Sequence, residues 1–311
     1  MRAFVFPGQG SQKVGMGAEL AGASAAAREV FQEIDDALGQ HLFALMRDGP
    51  EDQLTLTENA QPAIMAHAIA VLRVLEREGG LALSDKAGFV AGHSLGEYTA
   101  LCAAGAFTLA DTARLLKLRG QAMQAAVPVG LGAMCALLGA DVDKAQGLAA
   151  WAAQGEVCEV ANDNDPGQVV LSGHRAAIDR AVAAVKDFEI KRGVLLPVSA
   201  PFHSTLMGPA AEAMLEALER TPPGVPGVAL YANVTAEPVA DPVEIARLLV
   251  RQVTNRVRWR ESVLAMAGAG VEHFVVLGGK VLTPMIARTA PDARTNSVVS
   301  MADIEALAKE I

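Results

Sequence analysis

In Gly92-His93-Ser94-Leu95-Gly96 a serine stands between two glycines, after an apolar run over 87–91 and before a helix-like segment over 97–106. A strand that turns sharply into a helix leaves no room beside the turning residue, so glycine is needed on both sides. Such a turn pushes the Ser94 hydroxyl out at the positive end of the helix dipole. It also aims the Leu95 amide at the place where an oxyanion forms when the serine attacks a carbonyl. The chemistry this suits is acyl transfer through an acyl-serine. The bland alternative is an ordinary glycine-rich turn.

A serine hydroxyl becomes a good nucleophile only when a base takes its proton. Of the six histidines, His93 adjoins the serine on a strand-like approach, which points its side chain to the opposite face and makes it a packing or elbow-bracing residue. His41, His67, His174 and His273 sit in helical, turn or strand patterns and read as structural. His203 differs: it lies in Ser199-Ala200-Pro201-Phe202-His203-Ser204, a loop just ahead of a helix. Imidazole titrates near neutrality and can act first as base and then as acid. A third, acidic member is not obvious. Asp163 and Asp165 fall in Asn162-Asp163-Asn164-Asp165-Pro166-Gly167, whose composition turn chemistry explains alone. A backbone carbonyl could orient the imidazole instead, and this Ser–His dyad is the preferred reading.

Arg119 is the other unusual residue. In the helix-like stretch 109–125 its neighbours one turn away are Leu115, Ala122 and Met123, so the arginine shares the apolar stripe. A guanidinium keeps its proton, and facing a core or cleft it needs an anionic partner. The structural alternatives are a partly buried ion pair or a snorkelling side chain; the functional one is a bidentate clamp for a substrate carboxylate. Gln9, in the loop Pro7-Gly8-Gln9-Gly10-Ser11-Gln12, could supply a side-chain or backbone donor that completes an oxyanion hole with Leu95.

The elements that must position these residues alternate between strand and helix, the pattern of an α/β fold with a mainly parallel sheet. A strand over 2–6 leads into the Gln9 loop, helices follow at 25–38 and 62–78, and the elbow precedes the arginine helix. From 128 the rhythm changes: strand 133–138, helix 142–154, strands 157–161 and 168–172, helix 176–188 and strand 193–198. That βαββαβ order is ferredoxin-like and can close a small sheet of its own. The expected architecture is therefore a hydrolase-like α/β core, 1–127 and 200–311, interrupted by an inserted subdomain at 128–199. The α/β pattern resumes with helix 206–220, strand 228–233, helices 242–253 and 259–269 and strand 273–277. A cleft between two such parts is where sites form.

Composition narrows the function classes. With 51% hydrophobic residues over 311 positions there is ample material for a large core, and at 4% aromatics it must be aliphatic. A formal charge of −9, with no run of Lys or Arg, argues against nucleic-acid binding. Cys102, Cys135 and Cys158 have neither metal-ligand nor redox spacing and read as small buried hydrophobes in a reducing compartment. No run approaches the ~18 apolar residues of a membrane span, and the apolar run at 3–6 is too short for a signal peptide, which points to the cytoplasm.

Taken together, the motifs resemble the malonyl-CoA:acyl-carrier-protein transacylase family of type II fatty-acid synthesis. The matching stretches run in order along nearly the whole chain. They are Phe6-Pro7-Gly8-Gln9-Gly10-Ser11-Gln12, the elbow through Glu97-Tyr98, Leu118-Arg119-Gly120 and Gly132-Ala133-Met134. Asn162 with Pro166-Gly167-Gln168-Val169-Val170, Pro201-Phe202-His203, 252–259 and Gly279-Lys280-Val281-Leu282 follow. The resemblance implies Ser94 as nucleophile, His203 as base, Arg119 as holder of the malonyl carboxylate, and Gln9 with the Leu95 amide as oxyanion hole. It implies that the main-chain carbonyl of Gln252 orients the imidazole, and that the bulk of Phe202 crowds an α-methyl group and so favours malonyl. Leu277-Gly278-Gly279-Lys280 departs slightly from the family's Gly-Pro-Gly or Gly-x-Gly form.

The implied partners are malonyl-CoA, a coenzyme A thioester substrate, and transiently an acyl carrier protein. A monomer with no bound cofactor, no metal, no nucleic acid and no membrane association is expected. Because carrier proteins are acidic, Lys191, Arg192, Arg256, Arg258, Arg260 and Lys280 are candidates for a basic docking patch. A stand-alone polyketide-synthase acyltransferase, a serine esterase or thioesterase, and a non-catalytic scaffold are the competing readings.

Overall fold

The structure, a computed structural model, describes residues 1–198 and 200–311. Ser199, the last residue of the expected insertion and the first of the expected His203 loop, lies outside the described residues. The main sheet contains β1 (Arg2–Phe6), β2 (Phe89–Gly92), β7 (Leu230–Tyr231), β8 (Pro238–Val239), β9 (His273–Leu277) and β10 (Arg294–Val298). Their order is β10-β9-β1-β2-β7-β8, parallel throughout except for the antiparallel β7–β8 pair at one edge.

Helices cover both faces, which is why the central strands are almost continuously apolar. Strand alternation splits their side chains between the two layers. Phe4, Phe6, Val90 and Val275 pack into a core with helices Ala25–Leu38, Thr57–Arg77 and Leu109–Ala125. Ala3, Val5, Ala91 and Phe274 pack into another with helices Trp259–Gly268 and Leu282–Thr289.

The helix expected from Pro62 begins at Thr57, where the Leu56 carbonyl accepts from the Asn59 and Ala60 amides, and Pro62 lies inside it. Proline suits a first helical position. Here most side chains between Thr57 and Leu75 are buried, and that burial outweighs the one amide hydrogen bond the proline omits. The strand expected over 228–233 shortens to β7. Two strands, β8 and the mostly polar edge strand β10, and the helices Leu282–Thr289 and Met301–Glu310 add to the expected elements, the last opening on a Ser300–Asp303 capping box.

The second sheet holds β3 (Gly132–Leu138), β4 (Cys158–Asp165), β5 (Gln168–His174) and β6 (Arg192–Leu195) in the order β4-β5-β3-β6, antiparallel at every pair. With helices Val142–Ala153 and Arg175–Ala183 on one side it forms a ferredoxin-like unit with a core of its own around Cys135, Leu137, Leu148, Leu171 and Ile178.

The acidic stretch expected to be a turn corrects one expectation. Asn162 to Asp165 end β4, and the turn itself is only Pro166-Gly167. Asp163 is fully buried and accepts from Arg260 Nε, 3.0 Å to each carboxylate oxygen. Asp165 accepts from Arg288 at 2.6 Å. Both arginines come from helices of the main layer. The two carboxylates therefore clasp the second sheet to the first, a long-range role that local turn composition does not reveal. Neither contacts His203. A backbone pair adds to the clasp, with the Asp163 amide donating to Val257 O and the Val257 amide to Ala161 O.

Candidate active site

At the end of β2 the chain turns through Ser94, whose φ of 55° lies in the left-handed region, and enters the helix Gly96–Ala103. A Cβ on Gly92 would lie 1.9 Å from Gly96 C, and one on Gly96 would lie 2.3 Å from Phe6 O. Both glycines are thus sterically required. Asn233, just past β7, locks the turn from below: its Oδ1 accepts the Ser94 amide at 2.8 Å and its Nδ2 donates to Gly92 O at 2.7 Å.

His203 arrives from the loop after the second sheet, also with a positive φ of 57°. Its Nε2 lies 2.7 Å from Ser94 Oγ, and its Nδ1 donates to the main-chain carbonyl of Gln252 at 2.8 Å. The carbonyl fixes the tautomer, because it can only accept; Nε2 is left with its lone pair toward the serine. Burial, reinforced by the positive charge of Arg119, pushes the His203 pKa down to about 3. The imidazole is therefore neutral at physiological pH. This is a Ser–His pair oriented by a carbonyl, and such a pair can take a proton from the hydroxyl and return it.

Arg119 is 1% exposed. Its Nη1 donates to Gln61 Oε1 at 2.8 Å, and its Nη2 donates to Gln252 Oε1 at 3.0 Å and to Ser94 Oγ at 3.1 Å. The guanidinium carbon stands 5.7 Å from the Tyr98 ring centroid. All three hydrogen-bond acceptors are neutral. A cation so placed, beside the serine oxygen and without an ion pair, is suited to an anionic group on whatever the serine carries.

These residues open on a cavity of about 290 Å³ between the two sheets. Ser94, Leu95, Gln9, Gln61, Arg119 and His203 line it from the main layer, with Phe202 beside the histidine, and Met134, Asn162 and Val170 line it from the second sheet. The glycine at position 8 lets the Gln9 loop reach the elbow, since a Cβ there would lie 2.7 Å from His93 O. The amides of Gln9 and Leu95 donate to no acceptor among the described residues.

The structure thus brings together Ser94, His203, Arg119, Gln9, Leu95, Phe202 and Gln252. His93 braces the elbow as expected, its Nε2 2.8 Å from Asn164 Oδ1 on β4, but it also lines the cavity, which the opposite-face argument did not anticipate. His67, His174 and His273 are bonded to Gly278 O, the Val157 amide and Asn296 respectively, away from the site. Of the proposed basic patch, Arg256 and Arg258 are paired with Glu261 and Arg260 with Asp163, while Lys191, Arg192 and Lys280 are exposed, the last with its charge acting on Asp303.

Sequence reasoning missed Gln61, Glu97 and Asn233. Glu97 had a signal, a carboxylate set directly into the apolar elbow helix. Gln61 and Asn233 had none, since only the fold brings them to the elbow.

The acyl transferase domain family matches residues 3–289. The malonyl CoA-acyl carrier protein transacylase of Escherichia coli K12 is 43% identical over 310 residues, covering 99% of each chain. The crystal structure of an acyl-carrier-protein-S-malonyltransferase from Bartonella henselae superposes with a TM-score of 0.97 at 50% identity, over 99% of this chain and 98% of that one. A malonyl-transacylase solved in complex with its type II polyketide-synthase acyl-carrier protein superposes at 0.96 with 38% identity, over 100% of this chain and 99% of that one. With a Ser–His pair at its centre and relatives matched over nearly the whole of its length, this chain belongs to the acyl transferase family.

Proposed function

We propose that the protein transfers a malonyl group from malonyl-CoA to the phosphopantetheine thiol of an acyl carrier protein, supplying extender units for fatty-acid synthesis in the cytoplasm. The observation that carries this reading is Arg119, a buried cation with neutral partners 3.1 Å from the Ser94 oxygen. An acyl group bearing a terminal carboxylate satisfies that cation, and acetyl does not. Among the described residues no helix is long and apolar enough to cross a membrane.

In the first half-reaction His203 Nε2 takes the proton of Ser94 Oγ as the oxygen bonds to the thioester carbonyl carbon. The amides of Gln9 and Leu95 receive the oxyanion. Collapse of the tetrahedral intermediate breaks the C–S bond, and His203 returns its proton to the departing coenzyme A sulfur. In the second half the carrier's thiol gives its proton to His203, its sulfur attacks the malonyl-serine carbonyl, and Ser94 leaves reprotonated. Ping-pong kinetics follow. Residues 128–199 act as an inserted subdomain that roofs the cavity, and Phe202 crowds substituents at the malonyl α-carbon.

The test is a transacylation assay with a panel of acyl-CoA donors and of fatty-acid and polyketide carrier proteins, with free malonate measured alongside. Transfer of malonyl to a fatty-acid carrier supports the reading. Release of free malonate as the main product would make the protein a thioesterase, and transfer only to a polyketide carrier would reassign the pathway.

A further inference from the structure

Glu97 is a fully buried carboxylate that the half-reactions above leave unused. Its Oε2 accepts from the Asn233 amide at 3.0 Å and from Gln252 Nε2 at 2.9 Å, while its Oε1 has no partner among the described residues. Through Gln252 it reaches the guanidinium: Gln252 donates its amide hydrogen to Glu97 and turns its Oε1 to Arg119 Nη2, 3.0 Å away. Arg119, one carboxamide and Glu97 thus form a buried relay. The carboxamide has a single useful orientation, because only its NH2 end can face a carboxylate.

We infer that Glu97 is a positioning residue that serves as the internal counter-charge of Arg119 in the empty site and gives up that charge, by taking a proton, when a substrate carboxylate occupies the guanidinium. The inference rests on the malonyl reading above and adds a residue to its specificity. Burial holds the Glu97 carboxyl up to about 7, so both charge states are accessible near neutrality. The titratable groups facing it are Arg119 from the helix Leu109–Ala125, Tyr98 on its own helix and His203 beyond Gln252. Arg73 and Glu76, from the helix Thr57–Arg77, face Cys102 at the opposite end of the elbow helix. A bound carboxylate next to Arg119 opposes ionisation of Glu97 and raises its pKa further. By linkage, malonyl binds best below pH 7 and less well as Glu97 ionises above it.

The experiment compares kcat/KM for loading of malonyl- and acetyl-N-acetylcysteamine between pH 6 and 8.5. Taking the ratio cancels any pH effect common to the two donors, and His203, with its pKa lowered to about 3, stays neutral throughout this range. In the wild type the malonyl-to-acetyl ratio is expected to fall about tenfold across this range, one unit of pKa change in Glu97 on occupancy. In Glu97→Gln, which keeps an acceptor oxygen for Asn233 and Gln252, the ratio is expected to be flat and to exceed the wild-type value about tenfold at pH 8.5. A flat wild-type ratio, read without any variant, overturns the inference while leaving malonyl transfer intact. The same fall persisting in Glu97→Gln also overturns it. Failure of the malonyl thioester to load Ser94 would overturn the functional reading itself.

Discussion

Arg119 Nη2 stands 3.1 Å from Ser94 Oγ, close enough that the residue proposed to select the acyl group touches the oxygen proposed to carry it. Selection and chemistry share one hydrogen-bond network, because Gln252 holds Arg119 with its side chain and His203 with its main-chain carbonyl. In the proposed reaction, a malonyl group on the serine sets its far carboxylate against the guanidinium.

Arg119→Ala should lower kcat/KM for malonyl loading by about 10²-fold, the scale of a lost charge-assisted hydrogen bond in a buried site. Acetyl loading should change far less, so the malonyl-to-acetyl ratio collapses. Equal losses for both donors, measured side by side, would remove the clamp from the account.

His203→Ala should slow loading by roughly 10²–10⁴-fold for malonyl and acetyl alike. Gln252→Ala should behave differently, since the main-chain carbonyl that orients the imidazole survives and the side chain that aims Arg119 does not. Its main effect is expected on the malonyl-to-acetyl ratio, and an equal loss for the two donors would contradict that division of labour.

The base has a pH signature. Because the His203 pKa is lowered to about 3, the neutral imidazole persists from neutrality down toward that value. Acetyl-thioester loading, followed by rapid quench, should show no acid limb near pH 6.5 and should hold through pH 5. Stability runs the opposite way: the unfolded chain gains a proton on this histidine below about 6.5, so this contribution to folding is complete above that value and is lost as pH falls toward 3. A limb centred near 6.5 under conditions where the fold is intact would mean that Arg119 and burial do not control the base.

Much of this site is legible in the sequence, and the reason is local. Gly92, Ser94 and Gly96 announce themselves because a tight turn excludes side chains, and Arg119 because a cation on an apolar stripe is conspicuous. The ferredoxin-like order of the second sheet was readable from strand spacing. Asp163 and Asp165 were misread as turn residues because their partners Arg260 and Arg288 lie 97 and 123 positions away. The early start of the helix Thr57–Arg77 was hidden by Pro62, since tertiary burial overrode a local breaker. Gln61 and Asn233 are ordinary amides whose importance appears only when the sheet order sets them beside the elbow.

The clasp between the sheets makes a prediction of its own. Asp163→Asn leaves Arg260 without its counter-charge in a buried setting, and removal of one partner of such a pair costs about 3–5 kcal/mol, less here because Arg260 is partly exposed. The melting temperature should drop, and KM should rise equally for malonyl and acetyl donors as the cavity roof loosens. A change confined to one donor would instead place Asp163 in the selection network.

The central claim is that the Ser94 oxygen carries a malonyl group. The most direct measurement is intact-mass and peptide mapping of the protein after brief exposure to malonyl-CoA without a carrier protein. The account predicts a single malonyl adduct on the Ser94 peptide that disappears when a carrier protein bearing its phosphopantetheine thiol is added. Full transfer to the carrier with no adduct at Ser94, or with undiminished transfer by Ser94→Ala, would contradict it.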